Sequence, residues 1–283
     1  MKYIDTHAHL NLSAFDDDVD EVVNKCAEES VSVINVGTKE STSKKAVELA
    51  HEYENCYAII GLHPIQTGPS HHDEEELGEG GQPFTSKGEE VNKDFYLELA
   101  KQPKVVGIGE CGFDYYHTTV DSYEVQEKAF ISQIQIANET NLPLMIHTRG
   151  PKPGEESPTG RSVYADVYET LKQYAKVPFN VHFYAGTLAE AEKFFSIGGH
   201  ISFTGVITFK NATEYHDIVR EVPLELIHGE TDSPYVAPVP HRGKRCEPHY
   251  VVEVYKKIAE IRGEDEEVVR QQLIKNAQGF YKI

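Results

Sequence analysis

Cysteine, basic charge and long apolar runs are all scarce in this 283-residue chain, and each shortage narrows what it can be. The four cysteines, Cys26, Cys56, Cys111 and Cys246, stand far apart with no CxxC pair. They give no sign of a disulfide framework or a zinc finger, and suit a reducing compartment. Nowhere do about 18 apolar residues run together. The opening Met1-Lys2-Tyr3-Ile4-Asp5 meets charge before any apolar stretch develops. Neither a membrane span nor a secretory signal is therefore expected, and the expected location is cytoplasmic, or alternatively nuclear. Lysine and arginine number 27 against 46 acidic residues, a net charge of −19. Such a chain repels polyanions at long range, which argues against broad, non-specific binding along duplex nucleic acid. It does not argue against gripping one strand end in a metal-filled pocket, because coordination at contact range outweighs charges screened beyond about 8–10 Å.

Hydrophobic residues make up 39% and charged residues 26% of the chain, the balance of a folded globular protein. Short apolar, β-branched runs fall at 3–5, 31–36, 57–62, 105–109, 144–147, 179–182, 200–203 and 226–229. Helical periodicity fills the intervals at 17–29, 42–53, 92–101, 123–140, 162–176, 188–197 and 212–220, then at 248–262 and 266–275. Eight rounds of strand then helix predict an α/β fold, a (β/α)8 TIM barrel spanning 1–283 as a single domain. An open doubly wound sheet is the alternative. Two insertions break the rhythm. The first, at about 68–90, holds the acidic cluster Asp73-Glu74-Glu75-Glu76 and reads as a solvated loop or lid. The second, at 150–160, carries Pro151, Pro153, Gly154 and Pro158 on the side where a barrel's active-site loops lie.

His7 and His9 flank Ala8 at the end of the first run. Residues two apart on a strand share a face, so the pair can grip one metal ion. Two histidines alone are a weak sign. Glu110 follows the fourth run, however, His147 and His182 end the fifth and sixth, and Asp232 lies just beyond the eighth. A barrel brings those strand ends together at one mouth. Imidazoles and carboxylates buried together without a cation would carry heavy desolvation costs. The six residues therefore predict a divalent-metal site at the C-terminal mouth of the strands.

Four motifs carry a resemblance. They are Ile4-Asp5-Thr6-His7-Ala8-His9-Leu10, Gly61-Leu62-His63-Pro64, Gly107-Ile108-Gly109-Glu110-Cys111-Gly112-Phe113-Asp114-Tyr115-Tyr116 and Glu230-Thr231-Asp232-Ser233-Pro234-Tyr235, the last continuing from Pro238 to Arg245. In order and spacing, over nearly the whole chain, they resemble the TatD family of metal-dependent deoxyribonucleases, a branch of the amidohydrolase-like barrels. The resemblance implies two divalent ions, Zn, Mn or Mg. His7, His9 and Asp232 would hold one, Glu110 would bridge, and His147 and His182 would hold the other. It implies a DNA substrate, attacked at single-stranded ends as by an exonuclease. Hydroxide formed from a shared water would be the nucleophile, with Asp232 taking or orienting its proton and Glu110 spanning the ions. The chain departs from the family pattern at Gly150 and the insertion after it. It departs again at Val181-His182-Phe183-Tyr184-Ala185-Gly186, which resembles the family's Val-His-Cys-Phe-Thr-Gly with both flanking side chains altered, and at His241 and Cys246.

The resemblance also implies that His63 touches a substrate phosphate, although a histidine before Pro64 can simply cap a turn. Arg149 and Arg242 can hold phosphate oxygens bidentately, or stand at the surface with no such task. Tyr115 and Tyr116 can stack bases or pack at the barrel rim. Lys244 and Arg245 complete the one concentrated basic segment, which can equally be solvated. His71 and His72 read as solvated, and Cys111 should point away from Glu110. Two other functions share these features: hydrolysis of a different ester or amide at the same centre, such as an aminoacyl ester, lactone or cyclic amide, and a non-catalytic barrel that binds nucleic acid or protein.

Overall fold

All eight apolar runs become strands, and they pair in chain order. The computed structural model describes residues 1–68, 71–72, 84–85, 88–117 and 122–283. The strands are β1 (Tyr3–Ala8), β2 (Val31–Val36), β3 (Cys56–Ile60), β4 (Val105–Asp114), β5 (Leu144–Arg149), β6 (Phe179–Val181), β7 (Gly199–Phe203) and β8 (Ile227–Gly229). Each is parallel to the next, in the order β1 to β8. The residues after β8 close the ring. The Asp232 amide donates to the His7 carbonyl and the His9 amide to the Ser233 carbonyl, each at 2.8 Å. The fold is thus a (β/α)8 barrel, and the open-sheet alternative falls.

Helices α1 (Val19–Glu28), α2 (Glu40–Glu52), α3 (Lys93–Leu99), α4 (Tyr123–Thr140), α5 (Val163–Tyr174), α6 (Leu188–Phe195), α7 (Glu214–Glu221), α8 (Val251–Arg262) and α9 (Glu266–Tyr281) follow the strands. Local chemistry sets where several begin. The side chains of Ser162, Thr187 and Asp265 accept from backbone amides at the starts of α5, α6 and α9, satisfying donors that have no partner within the helix. Strands covered by such helices are buried on both faces, and so read as apolar runs. At the opposite end from the mouth, Ile4, Ile34, Ile59, Val106 and Met145 pack with Phe280 and Tyr281 of α9. Among the described residues no helix is long and apolar enough to cross a membrane.

The main departure from the sequence reading is β4, which runs to Asp114 instead of ending at 109. Its register with β5 slips between Ile108 and Cys111, where three steps face two. This is a bulge at Gly109-Glu110, and a bulge re-aims the side chain it carries. Gly109 and Gly112 both have φ of +144°, and a Cβ on Gly112 would lie 2.1 Å from the His147 carbonyl oxygen. Glycine is required at such a position. Those same glycines interrupt the apolar pattern and hide the strand's continuation. In the first insertion, His71–His72 pairs antiparallel with Phe84–Thr85. The side chains of His71 and His72 and the acidic cluster at 73–76 lie outside the described residues.

Candidate metal centre

His7 is fully buried within β1, and His9 lies just past its end. Their Nε2 atoms converge to 3.1 Å. The Nδ1 of His9 lies 2.8 Å from the Val36 carbonyl oxygen, a pure acceptor. The proton must sit on Nδ1, which leaves the Nε2 lone pair facing inward. Asp232 enters from the β8 side, its Oδ1 at 3.5 Å from His7 Nε2 and 3.4 Å from His9 Nε2. Its backbone has a φ of +60°, a strained conformation for a residue with a Cβ. Buried Asp5 helps hold it there, accepting from the Thr231 amide at 2.9 Å and the Thr231 hydroxyl at 2.5 Å while also taking the His7 amide at 3.2 Å.

Glu110 occupies the middle. Its Oε2 faces His7 Nε2 at 3.4 Å and His9 Nε2 at 3.8 Å. Its Oε1 faces His182 Nε2 at 2.6 Å, His147 Nδ1 at 2.7 Å and His63 Nε2 at 3.4 Å. Burial alone would raise this carboxyl, but the imidazoles of His182, His63 and His7 outweigh it and hold Glu110 well below the usual carboxylate range. Further carboxylates hold the outer edges of the histidines. Asp114 Oδ2 lies 3.0 Å from His147 Nε2 and 3.0 Å from His117 Nδ1. Glu230 Oε1 lies 3.6 Å from His182 Nδ1 and accepts from the Phe183 amide at 2.6 Å. His63 caps its turn and also faces the centre. Its Nδ1 accepts from the Ile65 amide, capping the turn, while Nε2 lies 3.1 Å from His147 Nδ1. Burial and then the neighbouring His147 push the His63 pKa down to about 4, so its ring is neutral at physiological pH.

Three sets of ligand atoms each fall within 4.8 Å of one another: those of His7, His9 and Asp232, of His63, Glu110 and His147, and of His7, His182 and Glu230. Ring nitrogens that meet at 3.1 Å, as in His7–His9 and His63–His147, need a proton or a cation between them. The mixed nitrogen and carboxylate donors suit a divalent ion. The residues present therefore fit a metal.

The six sequence-predicted ligands and His63 thus come together. Arg149 and Arg242 do not join them. Arg149 is exposed at the end of β5 with its guanidinium carbon 4.1 Å from the Tyr116 ring centroid, and Arg242 is exposed in the loop after β8, 4.2 Å from that of Phe209. Tyr115 is buried, donating its hydroxyl to Asp166, and has no free face for a base. Arg245 pairs with both carboxylate oxygens of Asp18 and with the Ala14 carbonyl, so only Lys244 of that couple is solvated. Cys111 is buried against the Met145 carbonyl. Asp5, Asp114 and Glu230 also belong to the site, although none is a ligand candidate in the sequence pattern. All three stood in the quoted motifs, but their partners become visible only in three dimensions.

The model of the family described as TatD related DNase matches residues 4–282. A Bacillus subtilis protein named "Uncharacterized metal-dependent hydrolase YabD" is 33% identical over 282 residues, covering 99% of this chain and 98% of that protein. The 3'-5' ssDNA/RNA exonuclease TatD of Escherichia fergusonii is 30% identical over 268 residues, covering 92% of each. Among solved structures, the TatD homolog YJJV of Escherichia coli superposes with a TM-score of 0.81 at 24% identity, over 100% of this chain and 98% of that one. That likeness speaks for the fold.

Proposed function

Since this chain belongs to the TatD related DNase family and is a metal-dependent hydrolase, we propose that it hydrolyses phosphodiester bonds of DNA from single-stranded ends, the whole chain working as one barrel domain. The observation that carries this reading is Glu110, which presents Oε2 to the His7–His9 pair and Oε1 to His147 and His182. A carboxylate placed so suits a two-ion site, the arrangement that serves in-line displacement at phosphorus. The exonuclease name of the Escherichia fergusonii relative supports the substrate class.

In this reading His7, His9 and Asp232 would hold one ion and His147 and His182 the other, with Glu110 facing both groups. When bound, divalent ions supply Lewis acidity to the phosphoryl oxygens and lower the pKa of a water molecule. Burial alone would raise the Asp232 carboxyl, but the hydrogen bond to His9 and the charges of His7 and His9 lower it. Asp232 is accordingly a weak base and a good acceptor, which aims the attacking water along the line of displacement. Neutral His63, whose Nδ1 accepts from the Ile65 amide and whose proton therefore sits on Nε2, donates to the substrate phosphate, while Arg149 and Arg242 meet phosphates further out.

The test is degradation of end-labelled single-stranded DNA by metal-stripped protein resupplied in turn with Mg, Mn and Zn, with Asp232→Asn beside it. Shortening from one end that requires metal and is lost in the variant is the expected result. Intact DNA with every metal, alongside rapid turnover of aminoacyl esters or lactones, would overturn it.

A further inference from the structure

The rim beside His147 carries a feature that the metal centre does not use. The Arg149 guanidinium carbon and the Lys152 ammonium lie 4.1 and 5.4 Å from the centroid of one ring, that of Tyr116. Arg149 stands two residues beyond His147 on β5, hence on the same face and roughly 6–7 Å further out. Tyr116 stands two residues beyond Asp114, and its amide donates to Asp114 Oδ1 at 2.9 Å. The same carboxylate that holds His147 therefore also sets this ring. Among the described residues neither Arg149 nor Lys152 forms an ion pair.

Lys152 belongs to the proline-rich insertion, and that insertion is fastened at its far end. Asp166, 1% exposed, accepts from the hydroxyls of Tyr115 and Thr159 and pairs with the Arg161 guanidinium. One buried carboxylate thus ties the end of the insertion to the residue next to Tyr116. Two like charges drawn to one ring repel each other, and an anion that meets both offsets that repulsion. In a chain of net charge −19, two neighbouring cations without ion-pair partners among the described residues are a place where a phosphate can be met.

We propose that Arg149, Lys152 and Tyr116 form an anion subsite that holds a strand phosphate next to the scissile one, so that the preferred substrate carries at least two phosphodiesters. The inference rests on the nuclease reading for its substrate class. Tyr116 holds the cations together, and Lys152 is the specificity-determining member.

The first arm of the test is fluorescence anisotropy of a labelled single-stranded pentanucleotide with phosphorothioate linkages, titrated with the metal-loaded wild type, Lys152→Glu and Lys152→Arg. Lys152→Glu should weaken binding about ten-fold and flatten the salt dependence by roughly one phosphate contact, with Lys152→Arg close to wild type. In the second arm, cleavage of an ordinary pentanucleotide by Lys152→Glu should show KM raised about ten-fold at nearly constant kcat. The ratio of strand to bis(p-nitrophenyl) phosphate efficiency should fall by the same factor. Binding by Lys152→Glu within two-fold of wild type, or an equal KM shift for the one-phosphate diester, overturns the subsite. A strand held through Lys152 yet never cleaved overturns the nuclease reading and leaves the subsite standing.

Discussion

Glu110 Oε1 and His182 Nε2 meet at 2.6 Å in the barrel mouth, both side chains about 4% exposed. Burial disfavours the charged form of each, but their mutual attraction holds Glu110 well below and His182 well above its ordinary pKa. An enclosed ion pair of this kind stands ready to exchange the His182 proton for a cation, which makes metal uptake and proton release one event. Glu110→Gln keeps the shape and removes the carboxylate that faces both histidine groups. We expect metal affinity to fall by more than about 100-fold and DNA cleavage to vanish while the fold persists. Elemental analysis after dialysis against limiting metal, with circular dichroism alongside, reads this. Full metal occupancy in the variant would contradict the bridging role.

Glu230 should matter without touching substrate. It faces His182 Nδ1 at 3.6 Å and takes the Phe183 amide, whose residue has a φ of +48°. Carboxylates that orient a metal-binding histidine typically contribute about 10–100-fold in affinity or activity. Glu230→Gln should fall in that range for metal affinity, measured by competition with a chromogenic chelator. An unchanged constant would remove Glu230 from the centre.

Gly112 tests the bulge. Gly112→Ala places a Cβ 2.1 Å from the His147 carbonyl at a φ of +144°. Strain plus displacement should destabilise the barrel by about 2–4 kcal/mol in denaturant unfolding. Gly150→Ala, with nothing within 4 Å of the added carbon, is the control and should stay within about 0.5 kcal/mol.

The pair of half-buried His200 and buried His228, with Nδ1 and Nε2 3.0 Å apart, should imprint a pH dependence on stability. Burial pushes His200 from its ordinary 6.5 down to about 4. Between those values the unfolded chain binds the proton and the folded one does not. The contribution is therefore complete above pH 6.5, is lost as pH falls to about 4, and changes no further below it. Its size is on the order of 2–3 kcal/mol. His200→Gln retains a partner for His228 and should lower the slope of stability against pH within that window. Parallel slopes for variant and wild type would show that His200 titrates normally.

Much of this protein was legible in its sequence because a parallel barrel keeps chain order and spatial order the same. Eight apolar runs alternating with helical patterns predicted eight neighbouring strands. Noting what ended each run then placed His7, His9, Glu110, His147, His182 and Asp232 around one mouth. Periodicity reports which face a residue occupies, and here the face was enough.

Tertiary structure alone decided which atoms meet. Asp5 holds Thr231 across 226 positions, and Arg245 holds Asp18 across 227. No local pattern encodes such partners, since they form only when the last strand returns to the first. The bulge that turns Glu110 inward was hidden by the glycines that make it possible. Chain order puts the insertion at 150–160 on the side of the active-site loops, but only the fold shows Asp166 fastening it and Tyr116 gathering its lysine with Arg149. The sequence determined the ring of chemistry through strand order; the closed barrel determined its contacts, because ring closure sets distances that spacing along a chain leaves open.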